Sequence, residues 1–263
     1  VFRWFERRQV YHPSKTLGLK PADLNWPFDD ISFGTADGVR LNGWFFPCLG
    51  PSRWSNWTVL ICHGNAGNVS HRLKWYSILL DLGLNVFAFD YRGYGRSEGT
   101  PSEAGTYHDA DAALDWLRQN RRPPRQVIAL GESLGGAIAA ELAIREPSLG
   151  GIILQSTFTS VADLGVELFP WLPVRWLNTI KYDTVAKLPL IQPPMMVMHS
   201  RGDRLIRFRH AERNYAAARS PKLFWEISGD HNEQPGFDSP QIRCGVEQFL
   251  RMLEAEPTPT TKP

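Results

Sequence analysis

The chain is poor in cysteine and has no cysteine pattern. Its three cysteines, Cys48, Cys62 and Cys244, form no CxxC pair. So sparse and odd a set excludes a disulfide framework and a cysteine-based zinc site. The seven histidines include no HExxH, so no metal is expected and no metal ligand is assigned. An excess of one charge is also missing: 29 Lys and Arg stand against 27 Asp and Glu, a net charge of +2. With both signs dispersed, nucleic acid is not expected as a partner. The short basic stretches "NRRPPR" and "RFRH" read as solvated surface. No apolar run approaches the ~20 residues that cross a bilayer.

What is present is a soluble-type composition, 43% hydrophobic and 21% charged over 263 residues. That length suits one large domain with a small insertion. The chain opens on Val1 rather than Met, and "VFRWFERRQVYHPS" has two readings. It is either a juxtamembrane segment behind a removed anchor or an arm packed on the domain. Residues 1–28 are assigned to this arm, 29–253 to the domain, and the Pro/Thr-rich residues 254–263 to a disordered tail. Placement in the cytoplasm or at a membrane is left open.

"DISFGTADGVRLNGWFFP" reads as a hairpin turning at Ala36-Asp37-Gly38. Short apolar runs follow at "WTVLICHG", "NVFAFDY", "QVIALGES", "GGIILQS", "PMMVMHS" and "KLFWEIS". Runs apolar at every position are expected of parallel strands covered on both faces. Helical stretches alternate with them, one of them beginning with Ser102 or a neighbour as its cap. The expected fold class is α/β, a mostly parallel central sheet with a leading antiparallel hairpin and helices on both faces. Residues 157–190 are too long for one crossover and are interrupted by Pro170 and Pro173. They read as a small helical lid over the strand ends.

In "VIALGESLGGAIAAELA" an apolar strand ends at Gly131, Ser133 follows, and a helix rich in small residues begins. A strand-turn-helix context makes G-x-S-x-G a nucleophile elbow rather than a chance pattern. A serine hydroxyl needs a base, and the base needs an orienting acid. Asp203 follows the strand "PMMVMHS" and His231 follows "KLFWEIS", in the order Ser, acid, His expected of this turn. Taken alone, Asp203 reads equally well as a turn aspartate and His231 as a surface histidine; the ordered set makes them functional. Asp163 is the reserve acid, and Asp230 is a poorer one because a neighbouring side chain seldom reaches the next ring. His63 and His199 read as loop braces. The oxyanion donors are assigned to the backbone N–H of Leu134 and of Asn65 in "HGNAGN", with Ala66 as the neighbouring possibility.

"HGNAGN", "FDYRGYGRSEG", "GESLGG", "HSRGDRLIRFRHAERNY" and "GDHN" together resemble the α/β-hydrolase superfamily, from about residue 30 to 250. The nearest likeness is to the bud-emergence-type α/β-hydrolase-domain proteins, related to the serine aminopeptidase-like group. The resemblance implies Ser133 as nucleophile, Asp203 as acid, His231 as base, and Asn65 and Leu134 as oxyanion donors. It implies that Tyr91 to Gly95 shape the rim of the site. It also implies an N-terminal membrane anchor, common in this group, and the possibility of an acylated protein as substrate. "SRGDRLIRF" departs from the family, which more often has a small residue and "VP" there.

The expected activity is hydrolysis of a carboxylic ester or thioester, without a cofactor. Phe158, Phe169, Trp171 and Trp176 of the lid are expected to line a pocket for a small-molecule or lipid-like acyl group, although such residues more often only pack on the sheet. An aminopeptidase or amidase, using Glu132, Asp163 or Glu167 to bind an amine, is the alternative. A non-catalytic binding module on a hydrolase scaffold is the third.

Overall fold

The computed structural model describes residues 2–233 and 239–255. Among the described residues ten strands occur in chain order: β1 His12–Pro13, β2 Asp29–Gly34, β3 Arg40–Phe46, β4 Thr58–Cys62, β5 Ala66–Gly67, β6 Asn85–Asp90, β7 Val127–Glu132, β8 Gly151–Gln155, β9 Met195–Ser200 and β10 Lys222–Ile227. The helices are α1 Phe2–Val10, α2 Leu73–Asp81, α3 Glu103–Gln119, α4 Leu134–Arg145, α5 Val161–Leu168, α6 Val174–Leu177, α7 Thr184–Lys187, α8 Arg209–Ala217 and α9 Ser239–Ala255. Eight strands form one sheet in the order β10-β9-β8-β7-β4-β6-β3-β2. β10 to β6 run parallel, and β3 and β2 add the antiparallel hairpin.

The apolar strands fill two cores because their side chains alternate between faces. Leu60, Val127, Ile152 and Val197 face a core closed by α3 and α4. Val59, Ile128, Ile153 and Met196 face the opposite core, closed by α2 and α9. Burying both faces explains why the strands are apolar at consecutive positions. Ser102 caps α3 by accepting the Gly105 N–H at 3.1 Å.

The stretch 157–190 divides in two. Ser160 caps α5 by accepting the Asp163 N–H, and Pro170 and Pro173 separate α5 from the short α6. From Ile180 onward the chain rejoins the body, with Tyr182 and Leu188 fully buried. The opening arm is a helix packed on the domain. Glu6 accepts the N–H groups of Thr179 and Ile180 at 2.6 and 3.0 Å, and Tyr11 and Tyr182 share a hydroxyl hydrogen bond of 2.9 Å. At the other end α9 runs to Ala255, so the expected tail boundary at 254 falls inside a helix. Residues 256–263 of that tail lie outside the described residues.

Among the described residues no helix is long and apolar enough to cross a membrane, and no group of three His, Cys, Asp or Glu is placed to hold a metal ion.

Candidate active site

β7 carries Ser133 to the sheet edge. Ser133 has φ 54° and ψ −114°, a conformation L-residues avoid. It is held there by its N–H donating to Gln155 O at 2.9 Å and by α4, which starts at the next residue. The glycines leave room for this. A Cβ on Gly135 would strike the carbonyls of Cys62 and His63, and one on Gly131 would strike the backbone of Gly135 and Gly136. Gly135→Ala is therefore expected to destabilise the fold by at least ~1–3 kcal/mol, because the obstacle is backbone rather than a mobile side chain. Urea unfolding of the variant measures it, and an unchanged midpoint would show that the turn relaxes freely.

Three loops, after β7, β9 and β10, bring Ser133, Asp203 and His231 into one line. His231 Nδ1 lies 2.7 Å from Asp203 Oδ2, and His231 Nε2 lies 3.2 Å from Ser133 Oγ. Asp203 is buried. Its Oδ1 accepts the N–H groups of Leu205 and Ile206 at 3.0 and 2.8 Å, which leaves Oδ2 for the ring. A carboxylate there accepts a hydrogen bond from Nδ1–H, so the Nε2 lone pair faces the serine hydroxyl. Asp230 accepts the backbone N–H of His231 and does not reach its ring. Asp163 lies in the lid, bound to Thr159, Arg175 and Arg213.

Asn65 and Leu134 line the same cavity as Ser133. The loop carrying Asn65 is fixed from beneath. His63 Nδ1–H donates to Gly64 O at 2.7 Å, which orients the peptide whose N–H belongs to Asn65. Asn65 O accepts from the Tyr94 hydroxyl at 2.8 Å and from the His12 N–H at 2.9 Å. Tyr91 donates to His63 O at 3.0 Å. Tyr91 to Gly95 are buried. Tyr91 and Tyr94 brace the loop, and none of the five lines the cavity, so they do not form the rim that the sequence resemblance implied. The contribution of His12 has no local signal: β1 pairs with β5 in only two residues, across a separation of about fifty in sequence.

Above Ser133 is an apolar cavity of about 330 Å³. Phe158, Leu164, Phe169 and Leu172 line it from the lid, and Ile206 from the loop after β9. Phe158 and Phe169 are thus among the residues around the cavity. Trp171 and Trp176 do not line the cavity. They are 75% and 92% exposed, because Pro170 and Pro173 turn this stretch outward and α6 points Val174 inward instead. The opposite wall was not anticipated: Phe5, Glu6 and Val10 of α1 complete the cavity. The sequence left this segment open between a juxtamembrane segment and a packed arm, and nothing local said what it covers.

Two buried histidines hold the surroundings. His199 Nε2–H donates to Ile206 O at 2.7 Å, steadying the loop that bears Asp203. His210 Nδ1 accepts the Thr159 N–H at 3.1 Å while Nε2 faces Glu167 at 3.1 Å, which pins α5 to α8. Burial lowers the pKa of both rings below the ordinary imidazole value. As pH falls the unfolded chain therefore takes up these protons first, and stability is lost below about pH 6.5. The urea midpoint should drop between about pH 7 and pH 5, and His210→Gln should flatten part of that slope. A midpoint independent of pH in that window would contradict it.

The sequence profile of the alpha/beta hydrolase fold matches residues 58–225. An uncharacterised protein of Mycobacterium tuberculosis is 37% identical over 253 residues, covering 95% of this chain and 89% of its own. The alpha/beta hydrolase domain-containing protein WAV2 of Arabidopsis thaliana is 36% identical, covering 83% and 78%. Protein bem46 of Schizosaccharomyces pombe is 32% identical, covering 68% and 66%. An esterase of Pyrococcus furiosus superposes with a TM-score of 0.73 at 22% identity, covering 93% of this chain and 98% of that one. With its parallel sheet, its serine on a strained turn after β7 and these relatives, the chain belongs to the alpha/beta hydrolase family, among the bud-emergence-type α/β-hydrolase-domain proteins.

Proposed function

We infer that the chain is a serine hydrolase that cleaves a carboxylic ester or thioester through an acyl-enzyme on Ser133. The observation that carries this reading is the line Ser133 Oγ, His231, Asp203, with separations of 3.2 and 2.7 Å, at the floor of an apolar cavity. His231 Nε2 takes the hydroxyl proton as Oγ attacks the carbonyl carbon. Asp203 holds the ring and stabilises the imidazolium. The N–H groups of Asn65 and Leu134 stabilise the negative oxygen, aided by the N-terminal end of α4. The imidazolium then protonates the leaving alcohol or thiol. Water, deprotonated by the same ring, attacks the acyl carbon and frees Ser133. The cavity wall favours a lipid-like acyl group over an acetyl group.

The amine-binding alternative has little support. Glu132 is paired with Arg72 at 2.7 Å, Asp163 with Arg175 and Arg213, and Glu167 with Arg209. Those three carboxylates are already neutralised by arginine. A fluorophosphonate probe tests the proposal: it should attach to Ser133 and stop ester turnover in proportion. Labelling without any turnover on esters or thioesters would favour a binding module. Turnover of peptide amides that depends on a free amine would favour the peptidase.

A further inference from the structure

The mouth of the cavity carries an apolar surface that the hydrolase reading does not use. Among the described residues, ten large hydrophobic side chains are exposed. Six of them, Phe5, Leu168, Trp171, Trp176, Leu177 and Leu205, belong to α1, the lid and the loop after Asp203, while Trp4 lies under Arg8 in a separate cavity. Phe5, Leu168 and Leu205 also line the cavity, so it opens among them and its apolar wall continues outward. Contiguous exposed apolar surface on a soluble domain marks a docking site.

The charges beside this mouth are sorted by depth. Asp163 and Glu167 have side chains only 10% and 12% exposed, while their partners Arg175, Arg207, Arg209 and Arg213 are 53–66% exposed. The carboxylates are turned inward and the guanidinium groups outward. Arg204 repeats the pattern, far more exposed than its partner Asp230. Four arginines over two carboxylates leave an excess of positive charge toward solvent. Tryptophan and leucine at a pocket mouth, with arginines beside them, match an interface between anionic head groups and acyl chains. The basic groups pair with lipid phosphates, while the indoles sit at head-group depth.

We propose that this face, formed by α1, α5, α6 and the loop after Asp203, docks on an anionic lipid bilayer, with the cavity mouth turned to the acyl layer. No membrane-spanning segment is needed for this contact. The proposal goes beyond the acyl-hydrolase reading and does not depend on turnover.

The test is co-sedimentation of the full chain with vesicles of phosphatidylcholine alone and of phosphatidylcholine mixed with phosphatidylglycerol. The chain should bind the mixed vesicles, with a blue shift of tryptophan emission, and release as salt is raised. Ser133→Ala should bind as the parent does, which separates failure of docking from failure of the hydrolase reading. The double variant Trp171→Ala/Trp176→Ala should lower the partition coefficient by about tenfold or more, with hydrolysis of a soluble ester unchanged. Arg175→Gln/Arg207→Gln should weaken binding to the mixed vesicles only. Each carboxylate keeps its second arginine in that variant, so folding is not at stake. Absence of parent binding to the mixed vesicles would overturn the proposal, and so would equal binding by either double variant. It would also be overturned if the chain were a dimer that Trp171→Ala/Trp176→Ala converts to monomer, since a second copy would then occupy the face.

Discussion

Ser133→Ala is expected to lower kcat on an activated ester by about 10⁶ while leaving the unfolding midpoint nearly unchanged, as removal of a serine nucleophile does in other triads. The two halves of the result have separate physical causes. The rate falls because the hydroxyl that His231 Nε2 faces is removed. The fold survives because alanine demands no more of the φ 54° turn than serine does, and the backbone bond from residue 133 to Gln155 is kept. Asp203→Asn should cost about 10⁴ in kcat, since an amide that donates to Nδ1 turns the ring to the wrong tautomer. In this site the effect is sharpened by Leu205 and Ile206, whose N–H groups hold one carboxylate oxygen and present the other to the ring. Single-turnover measurements with an activated ester separate acylation from release. A Ser133→Ala protein that still forms an acyl-enzyme at the parent rate would remove Ser133 from the mechanism.

The second large effect is on acyl-chain preference. Each methylene moved from water into the cavity is worth about 0.8 kcal/mol, so two carbons change kcat/KM by roughly tenfold until the space is full. Across an ester series from acetyl to dodecanoyl, kcat/KM should rise to a medium chain and then level. Leu164→Trp should fill the cavity and move the optimum to short chains. Phe169→Ala should flatten the rise. Trp176→Ala should leave it alone, because that side chain is exposed outside the mouth and does not line the cavity. A series highest at acetyl in the parent would end the lipid-like reading and point to small polar esters. A flattened series in Trp176→Ala would show that the lid folds differently in solution.

The sequence by itself determined the parts that depend on neighbours in the chain. Parallel strands buried on both faces must be apolar at every position, so "TVLIC", "VIAL" and "MMVMH" declare themselves without any knowledge of their order in the sheet. The turn at Ser133 is equally local, since only glycine at 131 and 135 lets a helix start against the strand it has just left. The order of Ser133, Asp203 and His231, each just past a strand, followed from the same reasoning. Tertiary structure alone decided the surroundings. Whether an aromatic residue of a lid points in or out depends on where two prolines turn the chain, and "FPWLPVRW" reads the same either way. Phe169 went inward; Trp171 and Trp176 went outward. The closing of the cavity by α1, and the hold of His12 on the loop after β4 through Asn65, join parts of the chain separated by some fifty to one hundred and seventy residues. Such contacts are chosen by shape and by the pairing of buried polar groups such as Glu6 with Thr179 and Ile180, and one segment carries no trace of its distant partner.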